Sequence, residues 1–184
     1  MSGVDARQAA QALSEIDAIV RRVRQSRIYD IASLMLIQWG GLVVAGYLGG
    51  YFWPRAAGWL WVAVNAVGVA GSFAIGAVVR RRTGAGAFDP RVPLALLLFF
   101  AFGYLTCVFG AFGPRELGAF WPIYFMLVYT IAGLWVGSAF VAIGLGITAL
   151  TLLGYVFAGV WFEPWMAVVN GGGLVLGGLW MRRD

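Results

Sequence analysis

Six long apolar stretches occupy almost everything after residue 30, and arginines stand at alternate ends of them. Each stretch is close to the length of about 20 residues that an α-helix needs to cross a bilayer. The 184-residue chain is 61% hydrophobic and only 11% charged, whereas soluble domains carry about 25% charged residues. The pattern therefore predicts an all-α, polytopic membrane protein whose six transmembrane helices form three hairpins.

Glycine, proline and charged residues mark the ends of the predicted spans. The spans cover 31–53, 58–79, 93–112, 118–136, 139–159 and a last segment that ends at residue 181. The uncharged stretch between Glu116 and Glu163 is too long for one crossing, and we expect it to divide at Gly137 and Ser138. The only sizeable connection is the polar loop at 83–91.

The arginines indicate the orientation of these spans. If both termini are cytoplasmic, eleven of the 13 basic residues fall on the cytoplasmic side, and only Arg55 and Arg115 fall on the outer side. Cytoplasmic loops are enriched in basic residues, so this orientation is favoured. The net charge of +5 is then explained by membrane topology, and we expect the lipid bilayer, not nucleic acid, as the partner of these residues.

The first 30 residues are predicted to form a cytoplasmic amphipathic helix ahead of a six-helix transmembrane domain at 31–184. Apolar residues recur there at spacings of three and four, which places them in one stripe. The stripe contains Leu13, Ile16, Val20 and Val23. Four arginines precede the first span: Arg21, Arg22, Arg24 and Arg27. We expect this helix to lie along the cytoplasmic face, against anionic lipid or the protein's own inner surface, or to dock a partner.

An internal pattern repeats three times along the chain. Gly-Tyr-Leu at 46–48 and 103–105 and Gly-Tyr-Val at 154–156 each precede a proline-containing turn and an aromatic start to the next span. WVAVN at 61–65 is matched by WMAVVN at 165–170. These similarities predict one two-helix unit used three times.

The first of these units carries a family resemblance. Trp39-Gly40-Gly41 through Pro54 to Gly76 is similar to the hairpin unit of small, six-span HdeD-like bacterial proteins, and weaker copies cover the later spans. The resemblance implies an inner-membrane protein linked to stress or acid tolerance. It supplies no catalytic residues.

Glycine is frequent, at 27 residues, and much of it falls at four-residue spacing. Such small-residue faces let helix backbones approach closely in lipid. We expect the faces around Gly68, Ser72, Gly76, Gly103 and Gly173 to serve helix packing.

Little reactive chemistry remains in the sequence. There is no histidine or lysine, and Cys107 is the single cysteine, which argues against haem ligation, Schiff-base chemistry and an intramolecular disulfide. The polar residues within spans that we single out are Gln38, Asn65 and Asn170. We interpret them as interhelical hydrogen-bonding groups, with contact to a ligand as the alternative. We expect no enzymatic activity, no cofactor and no metal.

Two functions fit this reading. The first is a non-enzymatic, stress-related or accessory subunit of a membrane assembly, which contacts other membrane proteins or further copies of itself. The alternative is a small-molecule transport component, similar in size and span number to the substrate-binding subunits of vitamin uptake systems.

Overall fold

The computed structural model of the protein describes residues 3–83 and 91–182, and all regular structure in these ranges is helical. The helices are α1 (Gly3–Phe52), α2 (Ala57–Thr83), α3 (Arg91–Phe109), α4 (Pro114–Val136), α5 (Ser138–Phe157), α6 (Phe162–Met166) and α7 (Gly173–Met181). A π-helix, Ala167–Gly172, joins α6 to α7, and 3₁₀ turns at Pro54–Ala56 and Gly159–Trp161 precede α2 and α6. The predicted all-α class is confirmed. The connection expected at 83–91 lies almost wholly outside the described residues.

Four helical segments are long and apolar enough to cross a membrane. They are Ile28–Phe52, Pro54–Arg81, Pro114–Val136 and Ser138–Phe157. The apolar part of α3, Pro93–Phe109, is shorter, and the segment at 162–181 is divided by the π-helix. The helices and the apolar segments of membrane-spanning length are those expected of a polytopic membrane protein.

Helix α1 is one uninterrupted helix of 50 residues. At a rise of 1.5 Å per residue it is about 75 Å long, more than twice the thickness of about 30 Å of a bilayer's hydrocarbon core. Residue 30, predicted as the boundary between the cytoplasmic helix and the transmembrane domain, lies inside this helix and does not interrupt it. The change from polar to apolar composition suggested two elements, but residues 4–39 contain no glycine or proline that would break a helix.

The core lies between α1, α4, α5 and α7. Its largest buried cluster contains Tyr29, Leu36, Met126, Ala139, Phe140, Ile143, Ile147, Leu174 and Met181. Helix α2 packs mainly beside α1, and α3 meets α4 through aromatic rings, such as Phe99 stacked on Tyr124 with centroids 4.4 Å apart. Helices α2 and α3 therefore stand at the periphery of a four-element centre.

Glycines give α1 and the C-terminal segment their closest approach. A Cβ atom built on Gly40 would lie 2.7 Å from the carbonyl oxygen of Gly171, and one on Gly178 would lie 2.8 Å from the carbonyl oxygen of Ser33. Because any side chain here would meet backbone atoms, which cannot move aside, these positions require glycine.

Other glycines have different surroundings. A Cβ atom on Gly68 would collide with the indole of Trp39, and one on Gly103 would lie 2.7 Å from the ring of Trp121. At Gly76 the nearest atom would be a guanidinium nitrogen of Arg80 at 3.8 Å. The packing role expected of these glycines is therefore wrong for Gly76 within a single chain.

The turn between α4 and α5 is made by one residue. Gly137 has φ 156° and ψ 157°, a region of backbone space that is essentially restricted to glycine. The uncharged stretch divides at Gly137 as predicted, and the two helices then pack antiparallel along Gly133 and Gly144.

Helix α3 ends in a left-handed residue that is not glycine. Ala111 has φ 48°, its N–H donates to the carbonyl of Val108, and the N–H of Phe112 donates to the carbonyl of Cys107, both at 3.3 Å. These two bonds form a Schellman motif, in which the left-handed position is usually glycine.

Candidate functional site

The N-terminal extension, residues 3–27 of α1, exposes the predicted apolar stripe. The exposed fractions of its large apolar side chains are 63% for Leu13, 55% for Ile16, 59% for Ile19, 58% for Val20 and 52% for Val23. Packing of the stripe against the protein's own inner surface was one of the expectations, and the structure does not show it. The side chains of Arg21, Arg22, Arg24 and Arg27 lie outside the described residues.

Gln38 joins α1 to α2, as the hydrogen-bonding interpretation predicts. Its side-chain amide donates to the carbonyl oxygen of Gly68 at 2.9 Å. The indole N–H of Trp39 donates to the hydroxyl of Ser72 at 3.0 Å, and that hydroxyl donates to the same Gly68 oxygen at 2.9 Å. These three bonds place the polar groups of the α1–α2 interface in mutual contact.

Asn65 and Asn170 lie in different surroundings. The amide of Asn65 donates to the carbonyl oxygen of Trp61 within its own helix, at 2.8 Å. Asn170 is buried in the π-helix, which packs against α1. The two residues occupy matching positions in the predicted repeat, but their surroundings differ.

The π-helix explains how the extra residue of WMAVVN is accommodated. Trp61 and Asn65 are four residues apart, whereas Trp165 and Asn170 are five apart. An α-helix brings residues four apart onto one face, and a π-helix, with i to i+5 bonds, does the same for residues five apart. The π turn therefore brings Asn170 toward the face of Trp165, as the α-helix does for Asn65 and Trp61.

At the end of the bundle that contains the proline turns, a buried tyrosine supplies a hydrogen bond that a proline removes from α4. Pro122 lies inside α4 and has no N–H for the carbonyl of Gly118, four residues earlier. The hydroxyl of Tyr47 in α1 donates to that carbonyl oxygen at 2.6 Å. This hydrogen bond ties α1 to the first turns of α4.

Arg115 and Glu116 bracket a second tyrosine at the same end. The guanidinium of Arg115 donates to the backbone carbonyl of Tyr155 at 2.7 Å and lies 5.4 Å from the ring centroids of Tyr155 and Phe162. The Tyr155 hydroxyl donates to a carboxylate oxygen of Glu116 at 3.3 Å. Arg115 therefore caps the C-terminus of α5, where unpaired carbonyls favour a cation.

Glu163 lies at the same end of the bundle, and we define the proline-turn polar cluster as Tyr47, Arg115, Glu116, Tyr155 and Glu163. A Cβ atom on Gly50 would lie 3.1 Å from Oε2 of Glu163, so the carboxylate rests against bare backbone of α1. That oxygen is buried and receives no hydrogen bond from the described residues. Burial raises the pKa of the Glu163 carboxyl above its ordinary value.

The hydrogen bonds of the proline-turn polar cluster cross-link helices. They connect α1 to α4 between residues 71 positions apart, and α4 to α5 between residues about 40 positions apart. The sequence predicted Glu116 and Glu163 in separate turns and did not predict the cluster; the repeated Gly-Tyr pairs at 46–47 and 154–155 were the available signal. Within the described ranges, no group of three cysteine, aspartate or glutamate residues is arranged to hold a metal ion.

Two adjoining grooves separate α2 from α3. The larger has a volume of about 630 Å³ and is lined by Trp61, Asn65 and Tyr104 among apolar side chains. The smaller, of about 460 Å³, is lined by apolar residues such as Val69, Pro93 and Phe100. Asn65 is thus the residue of the predicted polar set that faces a space large enough for a ligand or a lipid chain.

Comparisons with protein-family models, curated proteins and solved structures give no match.

Proposed function

We propose that this protein is a non-enzymatic integral membrane protein that serves as an accessory or structural subunit of a membrane assembly. In this proposal it crosses the bacterial inner membrane six times and keeps both termini in the cytoplasm. The eleven-to-two arginine distribution supports the orientation. The resemblance of 39–76 to HdeD-like hairpins supports the location and a stress-related role.

One observation carries the docking part of the proposal, namely the exposed stripe on the N-terminal extension. Five large apolar side chains there are more than half exposed, although a soluble helix normally covers such a stripe. The extension continues the axis of the first membrane-length segment, so it leads the stripe away from the bundle. A partner that buries the stripe gains the burial free energy that the monomer leaves unused.

The test is purification of the full-length chain in mild detergent, with identification of every protein that comes with it. Deleting residues 2–20 is expected to remove the partner and to leave membrane insertion intact, since the first apolar span and its arginines remain. If the truncated chain retains all its partners, the docking role is wrong.

A matched pair of variants separates the stripe from the rest of the helix. The first replaces Leu13, Ile16, Val20 and Val23 with serine. The second replaces Gln8, Gln11, Ser14 and Glu15, which are exposed and lie off the stripe, with alanine. Only the first variant is expected to lose the partner.

The second candidate function is a small-molecule transport component, favoured by the groove of about 630 Å³ beside Asn65. If the groove holds a ligand, a small molecule should co-purify with the protein and be lost in Asn65→Leu. Retention of the protein partner in the same variant would separate the two functions.

A further inference from the structure

The spacing of the exposed stripe has the regularity of a coiled-coil seam. In heptad notation, Leu13 and Val20 occupy a positions and Ile16 and Val23 occupy d positions. Alternating spacings of three and four residues place a and d side chains along one line of a left-handed two-stranded coil. Ile19, at a g position, widens the apolar surface beside this line.

The a positions of this line continue into the membrane-length part of α1, whereas Ile37 and Val44, at d positions, pack against Gly178 and Gly171 of the same chain. The next a positions are Arg27, Leu34, Gly41 and Leu48. Leu34 and Leu48 are exposed on the surface of the bundle, and a Cβ atom on Gly41 would meet no atom within 4 Å. The face of α1 that carries these a positions is therefore left uncovered by the described chain at Leu34, Gly41 and Leu48.

We propose that a second copy of this chain covers this face, so that two α1 helices pair in parallel along their a positions. The proposal rests on the docking role proposed above and names the partner. Because α1 runs without a break from span to extension, two copies inserted in the same orientation hold their stripes parallel and at the same height. The membrane thus fixes the register that a short coiled coil alone would not.

Arg27 is the one charged residue among the a positions from Leu13 to Leu48. In an in-register parallel pair each a residue packs against the same residue of the other copy, so Arg27 would lie opposite Arg27, and the exposed Asp30 at the following d position would offset part of the repulsion. A single polar a position of this kind fixes the register of a coil at a cost in stability. At the flanking positions, Asp17 and Arg24 (both e) would face Ala12 and Ile19 (both g) of the second copy, so no like charges oppose each other there.

Symmetric cysteine cross-linking in native membranes tests the pairing with the full chain. The native Cys107 is first replaced by serine, and single cysteines are then introduced as Val20→Cys in the seam and Gln11→Cys at an f position. Both native side chains are exposed, so both variants are expected to fold. A short oxidative or bis-maleimide cross-link should give dimer as the main product for Val20→Cys and only a trace for Gln11→Cys.

A second measurement does not depend on cross-linking. The mass of the full chain in lipid nanodiscs is expected to be that of a dimer, and that of Ile16→Glu/Val20→Glu to be that of a monomer. Absence of a cross-link at Val20, equal cross-linking at both positions, or an unchanged mass in the glutamate variant would overturn the pairing. If the stripe then still retains a different protein on purification, the docking function stands and only the identity of its partner is wrong.

Discussion

The hydroxyl of Tyr47 donates to the carbonyl oxygen of Gly118 at 2.6 Å, in the place of the backbone N–H that Pro122 lacks. A residue of α1 thereby completes the hydrogen bonding of α4. The arrangement explains how α4 tolerates a proline inside a membrane-length helix without leaving a carbonyl unpaired.

Tyr47→Phe is expected to destabilise the protein by about 1–2 kcal/mol, because it leaves the Gly118 carbonyl without a donor. Pro122→Ala restores a backbone N–H to α4, so the same tyrosine substitution should lose less stability in that background. Equilibrium unfolding in mixed detergent micelles measures the four members of this cycle. Equal losses in both backgrounds would show that the bond does not compensate for the proline.

Gly40→Ala and Gly171→Ala are each expected to destabilise the protein by about 1–3 kcal/mol, the range for overpacking a tight contact. The added methyl group would meet backbone atoms of the facing helix at 2.7–2.9 Å in the first case and 2.8–2.9 Å in the second. Gly146→Ala is the matched control, because a Cβ atom there meets nothing within 4 Å. Thermal unfolding of the three variants decides the matter, and a control as unstable as the other two would contradict the prediction.

Ala111→Gly should stabilise the protein by about 1 kcal/mol, because alanine is strained in the left-handed conformation and glycine is not. Ala101→Gly, the same substitution in the interior of α3, should instead destabilise it by about 0.5–1 kcal/mol. Opposite shifts of the unfolding midpoint are the expected result. Shifts of the same sign would mean that the turn after α3 does not hold Ala111 in this conformation.

The raised pKa of Glu163 gives stability a defined pH dependence. The folded protein keeps the Glu163 proton to higher pH than the unfolded chain does. The corresponding stability is fully present below the ordinary carboxyl pKa of 4.5 and is lost as pH rises through the raised value. Glu163→Gln should therefore flatten the decline. Identical pH profiles for the wild type and Glu163→Gln would refute this.

The proposed topology places the C-terminus in the cytoplasm and Arg55 on the outer side. At the C-terminus, a reporter that works only in the cytoplasm should be active, and one that works only in the periplasm should be inactive. After Arg55 the result should be the reverse. A periplasmic C-terminus would mean an odd number of crossings, most simply because α3 or the divided segment at 162–181 does not cross.

Local signals in the sequence predicted the helices well. The division at Gly137 was predictable because an uncharged stretch longer than one crossing must turn, and glycine is the residue that permits the turn. The continuity of α1 was missed because a change in composition was given more weight than the absence of a helix breaker. A polar composition at residues 1–30 indicates contact with water and does not mark the end of a helix.

Local signals of this kind did not predict the proline-turn polar cluster. The bond from Tyr47 to Gly118 depends on how α1 and α4 pack, and both residues sit in apolar segments whose sequence does not specify which helix faces which. The peripheral position of α3 was hidden for a similar reason, because a helix that is apolar all round has no face that marks its neighbours. By contrast, the exposed stripe was predictable residue by residue, since its spacing is a property of one helix.

The unbroken α1 joins residues 3–27 rigidly to the apolar segment Ile28–Phe52. A membrane-crossing helix tilts further as the bilayer thins, and in the proposed topology residues 3–27 are the cytoplasmic prolongation of such a helix. With an arm of about 37 Å, a change in tilt of about 10° would swing its tip sideways by about 6 Å. In that topology, a change in bilayer thickness would move the exposed apolar stripe within the cytoplasm without any hinge.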